Sequence, residues 1–526
     1  MKLSELVARS EVVALKTAGD AEPASMTMDS RRLTPGALFV CTPGMTRDAQ
    51  SFLPDAASRG ALAAIVYTSE GLERAVSLGL AAVQLPPEPT EFADRIWRLC
   101  DTFYDHPTRR MKVVGVTGTN GKTTTAWLIR DMLAALDVKA GYLGTLGFQT
   151  PWEARTLDNT TPFAVELYGM LAEARDRGLE ALAIEISSHA LATNRADGVE
   201  FDAAVFTNLT QDHLDFHETM EAYETAKWRL FSELPQRSSK KFVGALNVDD
   251  PTGSEWSRKG DFLTYGLFDP SEYDVDDWSP DMADAFEARE LKGHAVEIAL
   301  DRLSLELSAS GQADAIGEAK IGGRYNVSNL LSASAGLLAL DRSVGLFTGS
   351  QTKLDLIASL FSSVHPVPGR FEPIPNDLGL SVIVDYAHTP DAIEKLLTAV
   401  KELAIGQVVT VFGCGGDRDP GKRPKMAEAA SRYSDLTVVT SDNPRTEDPA
   451  KIIDQILPGL IPGRAYLAIQ DRPQAVTAAI AAAAPGAVVV ICGKGHEDYQ
   501  LIGRERIHMD DRELARNALR LSRPSP

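Results

Sequence analysis

The chain has 526 residues, which is too long for a single hydrophobic core and predicts two to four domains. Hydrophobic residues make up 44% of the chain, as in globular proteins, and this content excludes general disorder. The formal net charge of −20 argues against nucleic acid and anionic membranes as main partners. An anionic ligand therefore needs a local cluster of Arg and Lys.

The cysteines and the N-terminus favour a cytoplasmic protein. Four cysteines are scattered without a Cys-x-x-Cys pair, which fits neither a disulfide framework nor a zinc site. The N-terminus lacks an apolar core followed by a cleavage site, so we expect no signal peptide. The most apolar stretch, 475–492, is broken by Pro485-Gly486 and predicts a helix, a turn and a buried strand rather than a membrane span. We expect a monomer that binds small molecules.

From about residue 111 onward, apolar runs alternate with polar loops and helices. The run MKVVGV at 111–116 leads into glycines and the helical stretch 122–136. Similar runs follow at 181–186, 203–206, 382–384, 408–412, 436–439 and 488–491. Continuous apolar runs bounded by turn residues are typical of parallel strands that are covered on both faces. The alternation with helices predicts α/β domains.

A distinctive polar string follows each of these runs. In chain order the strings are TGTNGKTTT, EISSHA, TNLTQDHLDFH, DYAHTPDA, GCGGDRDPGKRP, TSDNPRTEDP and GKGHEDYQ. Polar turn residues end most strands, so one string alone is weak evidence of function. Ligands of open parallel sheets bind beyond the carboxyl ends of the strands. Seven unusual strings in one chain therefore predict an active-site face.

Two boundaries divide the chain. The segment DHPTRR precedes the glycine-rich string and predicts a boundary near residue 108, and LALDRSVGLFTGS leads into a new α/β stretch near residue 345. The predicted domains are 1–107, 108–345 and 346–526. The acidic segment 269–289 lacks periodicity, and we expect a solvated connection there.

The string Gly118-Thr119-Asn120-Gly121-Lys122-Thr123-Thr124 follows a predicted strand and opens a predicted helix. Backbone N–H groups of such a loop, together with the helix N-terminus, bind anions. The lysine is placed to reach the terminal phosphates of a nucleotide, and the first threonine after it to ligate Mg²⁺. Val116 stands where the general phosphate-loop pattern has glycine, and the two glycines here are three positions apart. ATP is the predicted ligand, although the loop alone fits a kinase, an ATPase or a ligase.

Taken together, the strings resemble the Mur ligases, and more closely their UDP-N-acetylmuramoyl-tripeptide synthetase branch. The resemblance rests on GTNGKTTT, EISSHAL, TNLTQDHLDFH, YETAKW, GRYNVSN, PGRFE and DYAHTPDA, and it covers most of the chain. It implies an α/β fold of three domains. These are a smaller α/β N-terminal domain that binds a uridine nucleotide and includes MTMDSRRLTPGALFV, a central P-loop-type ATP-binding domain and a C-terminal Rossmann-like domain.

The resemblance implies an ATP-dependent ligase that uses Mg²⁺ in peptidoglycan precursor synthesis. The γ-phosphoryl group of ATP passes to a substrate carboxylate, and an amine then attacks the acyl phosphate. Both steps gather negative charge in one place, so metal and cationic groups are needed there. The implied catalytic and metal-binding residues are Lys122, Glu185, His213 and Lys227, with Thr123 as a further metal ligand. Lys227 is implied to carry a carbamate, because a protonated lysine cannot ligate Mg²⁺ whereas a carboxylate can.

The resemblance also implies residues that bind the two nucleotide substrates. For ATP, Asn326, Arg370 and Asp385 join the loop 118–124. For UDP-MurNAc-L-Ala-D-Glu, the matching positions are Met28, Ser30, Asn159, Thr160, Thr161, Ser187, Thr193 and Arg195. The arginine suits bidentate pairing with a carboxylate or a phosphate. Two departures appear, since Thr193 stands where relatives commonly have glutamine, and Met45-Thr46-Arg47 replaces a more usual string in the uridine loop.

For the amine substrate, the matching positions are Arg418, Asp442, Asn443, Pro444, Arg445, Gly493 and Glu497. In this family the string DNPR accompanies meso-diaminopimelate. The guanidinium of Arg445 suits the second carboxylate of that amino acid, which lysine lacks. Glu497 is then the partner of its distal ammonium. Lysine and ornithine stay alternative substrates, because enzymes that use ornithine can keep related strings.

Two other functions are compatible with the ATP loop. Folylpolyglutamate synthetase shares the loop and the acyl-phosphate route, but the N-terminal DSR segment and DNPR argue against it. The second is a regulatory protein that hydrolyses ATP without ligation. The set of Glu185, His213 and Lys227 argues against that alternative.

Overall fold

The structure is a computed structural model that describes residues 1–43, 48–268, 288–348 and 351–522. The chain forms two compact units. The first contains the described residues of Met1–Gly266, Ser279–Leu291 and Leu331–Lys353. The second contains those of Leu267–Trp278, Lys292–Leu330 and Leu354–Pro526.

Several helices begin at a side-chain cap. Thr389, Asp448 and Asp471 each accept a backbone N–H of the first turn, and a proline follows within the first two positions. The helices are α1 (Leu3–Arg9), α2 (Leu53–Ser58), α3 (Ser69–Ser77), α4 (Pro89–Phe103), α5 (Lys122–Ala135), α6 (Ala164–Asp176), α7 (Ser188–Ala192), α8 (Leu214–His217), α9 (Met220–Trp228), α10 (Glu233–Arg237), α11 (Pro251–Ser257), α12 (Arg324–Val344), α13 (Lys353–Leu360), α14 (Pro390–Leu403), α15 (Lys422–Tyr433), α16 (Pro449–Ile456), α17 (Arg472–Ala482) and α18 (Asp511–Leu521).

Most strands are short and apolar. They are β1 (Lys16–Ala18), β2 (Ser25–Thr27), β3 (Ala37–Val40), β4 (Ala63–Val66), β5 (Ala81–Gln84), β6 (Lys112–Thr117), β7 (Ala140–Gly144), β8 (Gly147–Thr150), β9 (Glu153–Arg155), β10 (Ala181–Glu185), β11 (Ala203–Phe206), β12 (Val243–Asn247), β13 (Leu263–Leu267), β14 (Leu291–Ile298), β15 (Leu303–Ala309), β16 (Ala315–Ala319), β17 (Glu372–Pro373), β18 (Ser381–Asp385), β19 (Val408–Cys414), β20 (Leu436–Ser441), β21 (Ala465–Ala468), β22 (Val488–Cys492), β23 (Tyr499–Ile502) and β24 (Glu505–His508).

The first unit contains two sheets. The N-terminal sheet has the order β1-β5-β4-β3-β2 and is parallel except at β1. Strands β3, β4 and β5 are fully buried, because apolar clusters cover both faces of the sheet. The second sheet runs β12-β11-β6-β10-β7 in parallel and continues antiparallel into β8 and β9. Strand β6 lies between β11 and β10 in this sheet.

Register brings the strand ends of the second sheet together. Glu185 at the end of β10 pairs with Val116, and Phe206 at the end of β11 pairs with Thr117. The polar strings that follow β6, β10 and β11 therefore start at the same edge of the sheet. The core on one face of this sheet includes Trp256 and the apolar side chains of α6.

The second unit contains a sheet of order β17-β18-β22-β19-β20-β21, which is parallel except at β17. Asp385 pairs with Cys492 and Cys414 with Ser441, so the four polar strings that follow these strands also meet at one edge. Two apolar clusters cover the faces of the sheet. The unit also contains the β15–β16 and β23–β24 antiparallel pairs.

The structure confirms the predicted α/β class and the predicted runs of parallel strands. The stretch 475–492 is a helix that ends at Ala482, a turn, and the buried strand β22, as predicted. Within the described part of the chain, the search for a helix long and apolar enough to cross a membrane finds none. The predicted solvated segment 269–289 lies almost entirely outside the described residues, as does Met45-Thr46-Arg47. The domain boundaries near 108 and 345 stay predictions.

Candidate active site

The glycine-rich loop connects β6 to α5, and its geometry requires glycine at two positions. Gly118 has φ 150° and Gly121 has φ 83°, which are conformations that residues with a Cβ rarely adopt. A Cβ on Gly118 would lie 1.9 Å from Thr207 Oγ1. The loop ends at the first turn of α5, where backbone N–H groups have no helical acceptor. The arrangement is typical of anion-binding loops at helix N-termini.

The string TNLT after β11 holds this loop by hydrogen bonds. Asn120 N donates to Asn208 Oδ1 at 2.9 Å, and Thr207 Oγ1 donates to Asn120 O at 2.6 Å. Thr119 Oγ1 donates to Thr210 O at 3.1 Å. Sequence reasoning used this string as a family signature and missed the role of Thr207, Asn208 and Thr210. The pairing of β11 with β6 brings these residues beside the loop, and this register is the signal that could have identified them.

Two lysines meet at one carbonyl oxygen of the loop. Lys122 Nζ donates to Gly118 O at 3.0 Å and to Thr119 O at 2.8 Å. Lys227 Nζ donates to the same Gly118 O at 2.7 Å. Lys227 is 1% exposed and lies over the ring of Tyr223 at 4.5 Å. Burial, reinforced by the cation of Lys122, lowers the pKa of Lys227 well below its usual value.

A buried carboxylate lies beside the loop. Glu185 is fully buried, and Thr123 Oγ1 donates to its Oε2 at 3.0 Å. The hydroxyl of Tyr142 and the backbone N–H of Thr145 donate to its Oε1, the latter at 2.9 Å. These donors fix the orientation of the carboxylate. The carboxylate and the Thr123 hydroxyl are the oxygen ligands that Mg²⁺ prefers, so this pair fits a metal next to bound phosphate.

A metal held by Glu185 and Thr123 would need phosphate oxygens or water as further ligands. Among the described residues there is no group of three or more His, Cys, Asp and Glu side chains that could hold a metal. His213 is about half exposed, and its Nε2 lies 3.5 Å from Asp212 Oδ2. Its ring is 6.1 Å from that of Tyr223, the ring on which Lys227 lies. Tyr223 therefore lies near both His213 and Lys227, which are the other two predicted metal ligands.

His213 belongs to a cluster of aromatic rings. Its ring lies edge-on to that of His189 at 4.8 Å, and His189 lies 5.5 Å from His217. His217 Nε2 is hydrogen bonded to Ser188 Oγ at 2.9 Å. Burial and the neighbouring His189 lower the pKa of His217 to about 4, so this ring is neutral near pH 7. Sequence reasoning missed His189 and His217, although both stand in the strings EISSHA and DHLDFH.

The predicted carboxylate-substrate residues Thr160, Thr161 and Ser187 gather around Glu185. Thr161 Oγ1 donates to Glu185 O at 2.9 Å and accepts from Ser187 N at 3.2 Å. Thr160 Oγ1 lies 3.2 Å from Thr145 Oγ1, which itself donates to the Glu185 carboxylate. These three residues therefore share the edge of the sheet with the phosphate loop.

Arg195 offers an incompletely bonded guanidinium at the same edge. It lies 4.3 Å over the ring of Phe163, and its Nη1 donates to Thr161 O at 3.4 Å. Its buried Nε has no hydrogen-bond partner within the described ranges, and burial lowers its pKa. Buried donors of this kind normally have partners, which suits a bound carboxylate or phosphate. Thr193 Oγ1 donates to His189 O at 2.6 Å.

The remaining residues predicted for this substrate lie apart from these contacts. Ser30 begins a short 3₁₀ helix in which Arg31 N donates to the Asp29 carboxylate, and it is 7% exposed. Met28 packs against the core of the N-terminal sheet. Asn159 is half-buried in the segment before Thr160.

In the second unit, the structure brings together the residues predicted to bind nucleotide. The carboxylate of Asp385 accepts Phe371 N and Ala387 N, both at 2.7 Å. Burial raises its pKa, and the nearby Arg370 opposes that rise. Arg370 lies 4.3 Å over the ring of Tyr386.

Asn326 reaches the same region through its neighbours. Its Nδ2 donates to Gly322 O at 2.7 Å, and the ring of Tyr325 lies 5.9 Å from that of Phe371. A Cβ on Gly323 would lie 2.9 Å from the Phe371 ring. The string GRYNVSN therefore packs against PGRFE.

Arg418 and Arg445 line one loop, GCGGDRD. Arg445 Nη1 donates to Gly416 O at 2.5 Å, and its backbone N–H donates to Leu501 O at 2.9 Å. A Cβ on Gly415 would lie 2.9 Å from Arg445 Nη1 and 3.9 Å from Arg418 Cγ. Arg418 is exposed. Two guanidinium groups at one loop suit a carboxylate ligand.

The other residues predicted for the amine substrate form a second cluster, centred on Asn443. Its Nδ2 donates to Glu497 Oε2 at 2.9 Å, and its Oδ1 accepts Lys494 Nζ at 3.0 Å. A Cβ on Gly493, which has φ 116°, would lie 2.8 Å from Asp442 Oδ2. Pro444 is buried beside them. Sequence reasoning missed Lys494, which stands within GKGHED.

Comparisons with known proteins agree with this geometry. Residues 116–337 match the Mur ligase middle domain, and residues 369–495 match the Mur ligase, glutamate ligase domain. The chain is similar to the UDP-N-acetylmuramoyl-L-alanyl-D-glutamate–2,6-diaminopimelate ligase of Geobacillus thermodenitrificans, at 40% identity over 99% of both chains. It is also 40% identical to the ligase of that name from Gloeobacter violaceus, over 99% of this chain and 98% of the relative.

Solved structures show the same fold. A structure of a UDP-N-acetylmuramoyl-L-alanyl-D-glutamate–2,6-diaminopimelate ligase matches with a TM-score of 0.63 at 30% identity, covering 95% of each chain. The MurF ligase of Thermotoga maritima in complex with ADP matches with a TM-score of 0.59 at 17% identity, covering 94% of this chain and 98% of that one. The first of these likenesses extends the sequence match to the fold, and the second shows the fold alone.

The phosphate loop, the buried carboxylate beside it and the whole-length similarity lead to one assignment. The protein is an ATP-dependent ligase that forms an amide bond and uses Mg²⁺. The chain belongs to the Mur ligase family, within its UDP-N-acetylmuramoyl-L-alanyl-D-glutamate–2,6-diaminopimelate ligases.

Proposed function

We propose that this protein joins meso-diaminopimelate to UDP-MurNAc-L-Ala-D-Glu in the cytoplasm, as a step of peptidoglycan precursor synthesis. The observation that carries the proposal is the convergence on Glu185. Thr123 of the phosphate loop donates to its carboxylate, and Thr161 of the proposed acceptor-substrate site donates to its carbonyl. A phosphoryl donor and a carboxylate acceptor bound at these two sites lie next to each other, as acyl-phosphate formation requires.

In the first step, the loop N–H groups and Lys122 hold the phosphates of ATP. Arg195 and the threonines of NTT hold the D-Glu end of the acceptor. One carboxylate oxygen attacks the γ-phosphorus, the bond from that phosphorus to the bridging oxygen of ADP breaks, and an acyl phosphate forms. Bound Mg²⁺ at Glu185 and Thr123 supplies charge neutralisation for the phosphate oxygens.

Lys227 is proposed to act as a carbamate. Its uncharged amine, favoured by burial and by Lys122, attacks CO₂, a C–N bond forms and the amine loses a proton. The product is a carboxylate on a rigid helix, beside the phosphate loop. Such a group suits a second metal together with His213.

In the second step, the amine of the amino acid attacks the acyl carbon and phosphate leaves. We propose that Arg418 and Arg445 pair with the distal carboxylate of diaminopimelate, and that Glu497 accepts its distal ammonium. Asp442, Asn443, Pro444 and Gly493 shape this site. We also propose that the nucleotide site of the second unit is formed by Asn326, Arg370 and Asp385.

The domain limits 1–107, 108–345 and 346–526, and a monomeric state, belong to the same proposal. Met28, Ser30, Asn159, Ser187 and Thr193 are proposed to complete the site for the uridine nucleotide and its peptide.

The test is a panel of amino acids offered with ATP and UDP-MurNAc-L-Ala-D-Glu. Phosphate release and the mass of the product are measured for meso-diaminopimelate, its LL isomer, lysine and ornithine. We expect meso-diaminopimelate to be joined with kcat/KM at least about a hundredfold above that of lysine, because lysine leaves two arginines without a carboxylate. Equal use of lysine would contradict the proposed role of Arg445. Phosphate release that ignores every acceptor would contradict ligation itself.

A further inference from the structure

A buried cation lies at the centre of the proposed amino-acid site. Lys494 is fully buried, so its ammonium has no access to bulk water. Its Nζ donates to Asn443 Oδ1 at 3.0 Å and lies 3.7 Å from both Asp442 Oδ1 and Glu497 Oε2. A charge buried without such partners would strongly destabilise the protein. One hydrogen bond to Asn443 and ion pairs with Asp442 and Glu497 therefore hold Lys494, and Lys494 in turn holds these three side chains.

The hydrogen bonds of Asn443 show what this lysine does. An ammonium and a backbone N–H are donors only. Lys494 and Leu501 N both donate to Asn443 Oδ1, at 3.0 and 2.9 Å. The amide orientation is thereby fixed, and its Nδ2 is directed at Glu497 Oε2, at 2.9 Å. Lys494 therefore positions the Glu497 carboxylate through the side-chain amide of Asn443.

The charges around the cluster leave room for one further cation. Asp442 and Glu497 carry two negative charges against the single positive charge of Lys494. The nearby Arg472 is neutralised by Asp511, at 2.7 Å in a fully buried pair. Within this set of side chains the carboxylates outnumber the lysine by one, which suits one ligand ammonium. Because Lys494 already occupies the position between the two carboxylates, a ligand ammonium is directed to the outer side of Glu497.

We infer that Lys494 is a positioning residue that orients Asn443 and Glu497 to accept the distal ammonium of the amino-acid substrate. The inference rests on the proposed function. Two effects of Lys494 have opposite signs and can be separated. Its charge repels a ligand ammonium, so the loss of charge alone would tighten binding of that ammonium, whereas the loss of positioning would weaken it.

The experiment compares diaminopimelate with 2-aminopimelate, which keeps the distal carboxylate and lacks the distal ammonium. The ratio of their kcat/KM values is measured for the wild type and for Lys494→Met. We expect the ratio to fall roughly tenfold in the variant, as for the loss of one charge-assisted hydrogen bond, with KM for ATP within about twofold. A ratio that is unchanged or higher would overturn the inference.

The matched control is Lys451→Met, an exposed lysine in the same unit, which should leave the ratio unchanged. If Lys494→Met does not fold, Asp442→Asn serves as the reference for the double variant Asp442→Asn/Lys494→Met, which buries one carboxylate fewer. The same tenfold fall between these two proteins is expected, and its absence overturns the inference. The wild-type ratio separately tests the proposed function, since a wild type that does not distinguish the two amino acids contradicts that proposal.

Discussion

The phosphate loop and the Asn443 cluster are built on different principles. The loop owes its shape chiefly to glycine backbone conformations and to neutral hydrogen bonds with Thr207 and Asn208, and two lysines contact it at Gly118 O. The cluster owes its shape to the buried ion Lys494 and its acceptors. A nucleotide phosphate is common to many enzymes and can be held by backbone N–H groups. Recognition of one amino acid requires charges at fixed positions, and only side chains supply them.

The largest expected effect comes from a change in the loop backbone. In Gly118→Ala, the new Cβ would clash with Thr207 Oγ1 at 1.9 Å, and alanine is strained at φ 150°. We expect kcat/KM for ATP to fall about a thousandfold, or about 4 kcal/mol of transition-state stabilisation. Gly79→Ala is the control, because Gly79 has φ 79° but nothing within 4 Å of its added Cβ. A variant as active as this control would show that the loop tolerates a different shape.

The second effect tests Lys227, a buried lysine that contacts the phosphate loop. Lys227→Ala removes a buried amine that donates to Gly118 O. We expect about a hundredfold loss of kcat, and partial recovery on addition of a short carboxylic acid that fills the space of the proposed carbamate. Lys259→Ala, which changes a partly exposed lysine in the turn after α11, should keep wild-type activity. Activity lost without any recovery by carboxylic acids would argue for a purely structural role of the amine.

The third effect should be confined to the amino acid. Arg445→Ala removes a guanidinium from the loop that Arg418 also lines. We expect KM for diaminopimelate to rise about twentyfold, as for a lost charge-assisted hydrogen bond, while KM for ATP stays within about twofold. Arg432→Ala, at an exposed helix position, is the matched control. Equal rises in both KM values would remove the distinction between the two regions.

The smallest effect concerns stability against pH. Burial, reinforced by nearby Arg370, lowers the pKa of His496 to about 3. As pH falls below about 6.5, the unfolded chain takes up this proton before the folded one does, so stability is lost from there down to about pH 3. We expect His496→Gln to flatten the loss between pH 7 and pH 6 by about 0.7 kcal/mol in urea unfolding.

His508→Gln is the control for this experiment. Glu513 raises the pKa of His508, so its removal should not flatten the loss of stability toward low pH. A His496→Gln curve parallel to that of the wild type would show that His496 is not the group that titrates.

The sequence alone was sufficient for the parts that depend on local pattern. Apolar runs located the strands, and the strings after them located Thr123, Glu185 and Asn443 at the carboxyl ends. The hydrogen bond between Asn120 and Asn208 was not predictable in this way. The two residues are 88 positions apart in sequence, and they meet only because of the register between β6 and β11. Lys494 was missed for another reason, since lysine is rarely buried and its position in GKGHED resembles an ordinary surface charge.

The shared oxygen of Gly118 has a consequence for the order in which the protein is loaded. Lys122 and Lys227 repel each other there, and this repulsion favours the uncharged form of Lys227. Phosphate would draw the Lys122 ammonium off the loop and raise the proton affinity of its neighbour. Anion binding and the reactivity of Lys227 toward CO₂ are thus thermodynamically linked with opposite signs. The uncharged amine that reacts with CO₂ is therefore favoured most when no phosphate is bound at the loop.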